Sequence, residues 1–205
     1  MTNKTEQESF WQGDFGDDYS KRNSIEKLLP SKVFFFQEIL NSLKGLNDCL
    51  ELGTNIGSNL LAIKKIYPKI KLHGVEINYS AYQKLKSLNL CESLYNTSLL
   101  KFKKRNYADL VFTMGVLIHV GPEELNEAYD SIYNSSKKYI LLCEYYSSTP
   151  TSISYRGHTN KLFKRDFAGE MLDRYHKLKL VNYGFNYKRD KNFTLDDTTW
   201  FLMEK

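Results

Sequence analysis

The chain is poor in the residues that would mark it as secreted or metal-bearing. Its 205 residues include three cysteines, Cys49, Cys91 and Cys143, far apart and in no C-x-x-C pair. Such spacing excludes a disulfide framework and a cysteine zinc site, and leaves the thiols as small apolar residues in a reducing compartment. There are four histidines and no H-E-x-x-H, so no metal is expected. No apolar run approaches the roughly 18 residues of a membrane span. Residues 1–9 are polar, without the apolar centre of a signal peptide. The expectation is a cytoplasmic protein with no membrane partner. Arginine is scarce as well, six against 23 lysines. Each guanidinium position is therefore informative, and Arg22 and Arg156 stand out, because a guanidinium grips a carboxylate or phosphate through two parallel bonds.

What is present is ordinary for one globular domain: 41% hydrophobic and 26% charged residues. The net charge of +5 has scattered sources. Its densest run, Lys101 to Arg105, reads as a solvated face, so nucleic acid is not expected as a partner. The organising stretch is Asp48 to Leu60. An apolar run, Cys49 to Leu52, reads as a buried strand that stops at a glycine turn (Gly53, Gly57), and a helical apolar pattern (Leu60, Leu61, Ile63, Ile66) follows. Strand, glycine turn, helix opens an α/β sheet that holds a nucleotide-like ligand at the strand's C-terminal edge. A second strand, 70–76, ends in Glu76, 23 residues after Gly53, the spacing at which a carboxylate meets a ribose diol.

Glu51-Leu52-Gly53-Thr54-Asn55-Ile56-Gly57 resembles the E/D-x-G-x-x-x-G signature of class I S-adenosylmethionine (SAM)-dependent methyltransferases. It is not the G-x-G-x-x-G of dehydrogenases, since Asn stands at 55 and the last glycine falls at 57. The segment Asp109 to Val120, D-L-V-F-x-x-G-V-L-I-H-V, is similar to the one after strand four in small-molecule methyltransferases. Trp11 to Asn23 reads W-x-G-x-F-G-x-x-Y-x-x-R-N. That pattern, with Y-R-G-H at 155–158 and K-R-D-F at 164–167, resembles methylases associated with pseudaminic-acid-type sugar biosynthesis. The resemblance implies a Rossmann-like α/β fold: a seven-stranded, mostly parallel sheet in order 3-2-1-4-5-7-6, with helices on both faces and an N-terminal helical lid. It implies SAM as cofactor, with Gly53, Thr54, Asn55, Gly57, Glu76 and Ile77 around it. Met114, Gly115 and Val116 would line the SAM channel. Trp11, Tyr19 and Arg22 would close over it, with Tyr19 and Arg22 at the methionine carboxylate. The end of a weak third strand, with Asn96, Thr97 and Ser98, would meet the adenine; Asn96 and Ser98 both remain candidates for its amino group.

Methyl transfer from a sulfonium is an in-line displacement, so the acceptor decides whether a base is needed. Candidate bases are His119, His158, Glu144 and Tyr146, at strand ends or active-edge loops. Tyr145, Tyr155 and Arg156 suit a polar, ring-bearing acceptor with an anionic group: a sugar or nucleotide-sugar hydroxyl or amine. The alternatives are a nucleic-acid or protein methyltransferase, or a SAM-binding protein without transferase activity. The first is disfavoured for base-amino methylation by the absence of an N/D-P-P-Y segment. Oligomeric state is not legible. Expected organisation is a tail, lid and leading helix in 1–45 and a SAM-binding core in 46–205. Further expectations are a loose tail in 1–9, a chain reset at Pro30-Ser31 before a helical stripe over 33–43, an aperiodic loop over 147–158, a helix starting near 161, and a terminal hairpin of 178–187 with 198–204.

Overall fold

The structure is a computed structural model that describes residues 4–22 and 24–205; Asn23, the last position of the lid pattern, lies outside the described residues. The sheet grows outward from β1 (Asp48–Leu52). It pairs in parallel with β2 (Lys71–Glu76) on one side, Leu52 opposite Val75, and with β4 (Ala108–Met114) on the other, Leu50 opposite Val111. β3 (Ser93–Asn96) extends the β2 side and β5 (Ser136–Glu144) the β4 side, both parallel. Beyond β5 the direction reverses. β9 (Thr199–Glu204) runs antiparallel to β5, and β8 (Lys179–Phe185) closes the edge. The seven-stranded order is β3-β2-β1-β4-β5-β9-β8, which is 3-2-1-4-5-7-6 when only the sheet's own strands are numbered.

Both faces are covered, which is why the central strands read as unbroken apolar runs rather than alternating ones. On one face α3 (Ile25–Leu40) and α4 (Ser58–Ile66) pack Phe36, Ile39, Leu60 and Ile63 against Leu72, Leu110 and Phe112. On the other, α6 (Leu125–Ser135) and α7 (Phe167–Arg174) press Ile132 and Met171 onto Val111 and Ile140. α5 (Tyr79–Ser87) joins β2 to β3, and its Leu85 packs in the first of these cores.

Four expectations are corrected. The segment expected to be a loose tail holds most of α1 (Glu6–Gln12), whose capping box joins Thr5 and Glu8 reciprocally and satisfies two end donors. The helix α2 (Asp14–Arg22) follows, and Gly16 lets it lie close to both Trp11 and Asn78, since a Cβ there would stand 1.9 Å from the Trp11 carbonyl oxygen and 2.8 Å from Asn78 Nδ2. Pro30 does not reset the chain: α3 runs through it, at the expense of one helical N–H. The 147–158 loop carries β6 (Thr151–Tyr155), which pairs with β7 (His158–Lys164) in a separate two-stranded hairpin. Arg156 and Gly157 turn it, with φ 51° and 85°, the two positive values that a tight hairpin turn needs. The helix expected from 161 starts only at Phe167, because 158–164 is strand.

Gly57 has φ 84°, and a Cβ on it would stand 2.3 Å from Leu85 Cδ1. Gly57→Ala therefore combines left-handed backbone strain with overpacking, and denaturant titration is expected to show a loss of about 2–4 kcal/mol. A loss below about 0.5 kcal/mol would mean that the α4 start is not locked against α5.

Candidate active site

β1, β2 and β4 end on the same edge of the sheet, and their following turns are tied together. Gly53 N and Thr54 N both donate to the Val75 carbonyl, at 2.8 and 3.1 Å. Glu76, 6% exposed, accepts from Asn55 N through Oε2 (2.6 Å) and from Asn78 N through Oε1 (2.7 Å). Burial pushes its carboxyl up to about 6, against the pull of those N–H bonds. The turn after β4 is held in the same manner by Glu144. This carboxylate, 3% exposed at the end of β5, accepts from Val116 N at 3.0 Å and Ile118 N at 3.3 Å. Glu144 was a candidate base; its acceptor capacity goes to the backbone instead, and burial raises it to about 7.

Above this edge lies a cavity of ≈ 410 Å³. Its floor is Gly53, Thr54 and Asn55 from the first turn, Glu76 and Ile77 from the second, and Met114, Gly115 and Val116 from the third. Thr97 and Ser98 line the β3 side, although the Ser98 hydroxyl already accepts from Leu100 N at 3.1 Å. Trp11 and Tyr19 come down from α1 and α2, and Tyr145, Tyr155 and His119 from the β5 side. The His119 ring sits 4.5 Å from the Trp11 ring and 5.0 Å from that of Tyr155. Its Nδ1 lies 2.7 Å from the Lys161 carbonyl oxygen, and burial lowers its pKa to about 4.

Besides Glu144, six expected residues are not on the cavity wall. Arg22 is exposed, its guanidinium over the Phe15 and Tyr19 rings at 5.7 and 5.9 Å. Gly57 begins α4 and faces Leu85. Asn96 is exposed and spends its amide on the Glu76 and Ile77 carbonyls. Tyr146 is 45% exposed beside Phe201, since residues 145 and 146 point to opposite sides of an extended segment. Arg156 sits on the exposed hairpin turn over its neighbour Tyr155, and His158 is exposed against the Phe10 ring at 5.0 Å.

Other wall residues were not foreseen. Lys188, Thr194, Asp196 and Thr198 come from the β8–β9 connection, whose sequence carries no motif. Glu8 lines the wall with Oε1 buried and unpartnered. Lys32 projects from α3, hydrogen-bonds Asn59 Oδ1, and Asn59 Nδ2 in turn donates to the buried Glu51. Burial raises Glu51 to about 8 and lowers Lys32. The signal for Lys32 was present: it falls on the stripe of Phe35, Phe36 and Ile39, where a lysine is out of place unless partnered. Among the described residues no group of three His, Cys, Asp or Glu could hold a metal ion, and no helix is long and apolar enough to cross a membrane.

The fold is that of SAM-dependent methyltransferases. No protein-family model and no curated protein matches the chain. Solved structures do. Magnesium protoporphyrin IX methyltransferase from Synechocystis PCC 6803, with bound SAM, superposes with a TM-score of 0.67 at 14% identity over 100% of both chains. An O-methyltransferase from a trans-AT polyketide synthase of Brevibacillus brevis, with S-adenosyl-L-homocysteine, gives 0.65 at 14% identity, over 100% of this chain and 81% of that one. A SAM-dependent methyltransferase from Leishmania major gives 0.69 at 13% identity, over 98% and 87%. At these identities the likeness is one of fold.

Glu144 generates a pH prediction. Between its ordinary value of 4.5 and about 7 the folded protein holds a proton there that the unfolded chain has released, so stability falls as pH rises across that window. The full effect is on the order of 3 kcal/mol. Glu144→Gln, which keeps one acceptor oxygen, should flatten that part of the stability–pH curve, whereas Glu144→Leu should cost about 2–5 kcal/mol by orphaning buried N–H groups. An unchanged slope in the Gln variant would remove Glu144 from the account.

Proposed function

We propose that the protein is a SAM-dependent methyltransferase acting on a polar small molecule. The observation that carries this is the cavity itself: the glycine turn, Glu76 and the segment after β4, three separate sequence signals, meet on one wall at the edge where this fold binds nucleotides. The residues fit SAM. At Gly115, φ 68°, a Cβ would meet nothing within 4 Å, which leaves room for a ligand against the backbone. Glu76 has one lone pair of each oxygen engaged by backbone and a second left for a ribose diol. Trp11 Nε1 is buried without a partner at the roof. Lys32, on the wall and bonded to Asn59, is the candidate for the ligand carboxylate in place of Arg22.

SAM supplies a methyl activated on sulfonium sulfur. The chain aligns the acceptor, excludes water under α1 and α2, and removes one proton where the acceptor is a hydroxyl or an amine. His119 is the base we assign: a neutral ring on the wall, at the turn after β4. Trp11, Tyr145 and Tyr155 offer ring faces to a sugar, and the likeness of the Trp11–Arg22 segment to sugar-pathway methylases favours a sugar or nucleotide-sugar acceptor. Arg156 and His158 take no part in this reading, because both face solvent.

Titration calorimetry with SAM and with NAD tests the cofactor. SAM should bind with 1:1 stoichiometry, and Glu76→Ala should weaken it by about 1–3 kcal/mol, the cost of a lost charged hydrogen bond. Binding of NAD without SAM would overturn the reading. For the acceptor, a sugar-nucleotide pool incubated with labelled SAM should show a labelled product by mass spectrometry. Label recovered only in nucleic acid or protein would replace the small-molecule acceptor with a polymer.

A further inference from the structure

One residue, Lys161, holds His119 through its backbone and α1 through its side chain. The Lys161 carbonyl lies 2.7 Å from His119 Nδ1. A carbonyl can only accept, so Nδ1 carries the ring proton, and a neutral imidazole then presents its lone pair at Nε2. The Lys161 side chain, 7% exposed, bonds Glu6 of α1, and its ammonium stands 5.2 Å over the Phe10 ring, also on α1. Gln7 of α1 adds a bond to the neighbouring Asn160 carbonyl at 3.3 Å. Lys161 is thus the residue of β7 that bonds both α1 and His119, beside the α1 contacts of Asn160 and His158.

We propose that Lys161 is a positioning residue: it makes the proton-accepting form of His119 depend on the docking of α1. A buried ammonium keeps its place only while it is paired. Without Glu6, Lys161 has to reach water, and β7 moves away from α1. The ring between Trp11 and Tyr155 is then hydrated, and its bond to the carbonyl is no longer fixed. The low pKa of the ring agrees with this picture, since burial is its main cause and the Lys161 carbonyl opposes it. The titratable and charged groups on the surrounding elements are Glu6 and Glu8 on α1, Tyr155, Arg156, His158, Lys161 and Lys164 on the hairpin, Glu144 and Tyr145 at the end of β5, and Glu123 and Glu124 beyond the turn. Glu144 is taken up by backbone N–H groups and Lys161 by Glu6. The proposal rests on the reading of His119 as the base.

The test is a pH titration of the full chain with 15N-labelled histidine, followed by NMR, with His119→Gln to assign its signals among the four histidines. The wild type should show the Nδ1–H tautomer and a protonation midpoint near the value of about 4 set by burial. Glu6→Gln and Lys161→Met should each raise that midpoint by about one pH unit or more, toward the ordinary 6.5, while Lys161→Arg keeps the pairing and stays near wild type. Glu6 is 75% exposed, so its variant carries the test if Lys161→Met does not fold. An Nε2–H tautomer in the wild type, or one midpoint shared by wild type and Glu6→Gln, would overturn the proposal. Calorimetry with SAM on the same samples separates the two readings: the expected titration without SAM binding would retain the positioning and refute the transferase.

Discussion

Two buried carboxylates build the ligand edge of this protein. Glu76 and Glu144 each sit at the C-terminal end of a strand and accept backbone N–H groups from a neighbouring turn. A turn at a sheet edge leaves donors without partners, and burying them unpaired costs more than the bonds return when made. A carboxylate resolves this because it accepts several bonds at once. The cost is its own desolvation, visible in the upward displacement of both groups. The cavity floor is therefore preorganised before any ligand arrives, with the β1, β2 and β4 turns fixed relative to one another.

The roof is of another kind. α1 and α2 meet the rest of the protein through rings (Trp11 on His119, Phe10 on His158, Phe15 on Tyr155) and through hydrogen bonds (the Asn78 amide on the Trp11 carbonyl and Asp17, Lys84 on Ser20, Glu6 on Lys161). None of their residues belongs to either apolar core, the condition found in elements that open at low free-energy cost. A rigid floor under a lightly held roof suits a site that must admit a ligand and then exclude water from a reactive sulfonium.

The core of the fold was legible in the sequence. β1 shows as an apolar run ending at a glycine turn, α4 as the helical period after it and β4 within the Asp109–Val120 segment, and the Gly53-to-Glu76 spacing placed the end of β2 and the site edge. The signals at 5–8 and 151–157 were also present and were outweighed. Thr5-x-x-Glu8 is a readable capping box, but it lies in a polar segment with no apolar stripe to prompt a helix. Thr151 to Tyr155 alternates only weakly, because β6 is exposed along nearly its whole length, while the hairpin's buried residues, Lys161 to Phe163, lie on β7. Burial was less legible. Lys32 could have been read from the stripe of Phe35, Phe36 and Ile39 on which it falls, whereas nothing local told that the Arg22 guanidinium faces solvent; that depends on which face of its helix meets the sheet. Tyr145 and Tyr146 differ by one residue and so by a face.

The central claim is that the edge between β1, β2 and β4 binds SAM beneath α1 and α2. Hydrogen–deuterium exchange of the whole chain, with and without SAM, tests it most directly. The account predicts slower exchange with SAM in residues 53–59, 76–79, 97–101, 114–121 and in α1 and α2, with β8 and the outer face of α3 unchanged. Protection that maps to β8 and the 182–193 segment, or SAM binding that leaves the three turns and both roof helices exchanging as before, would contradict it.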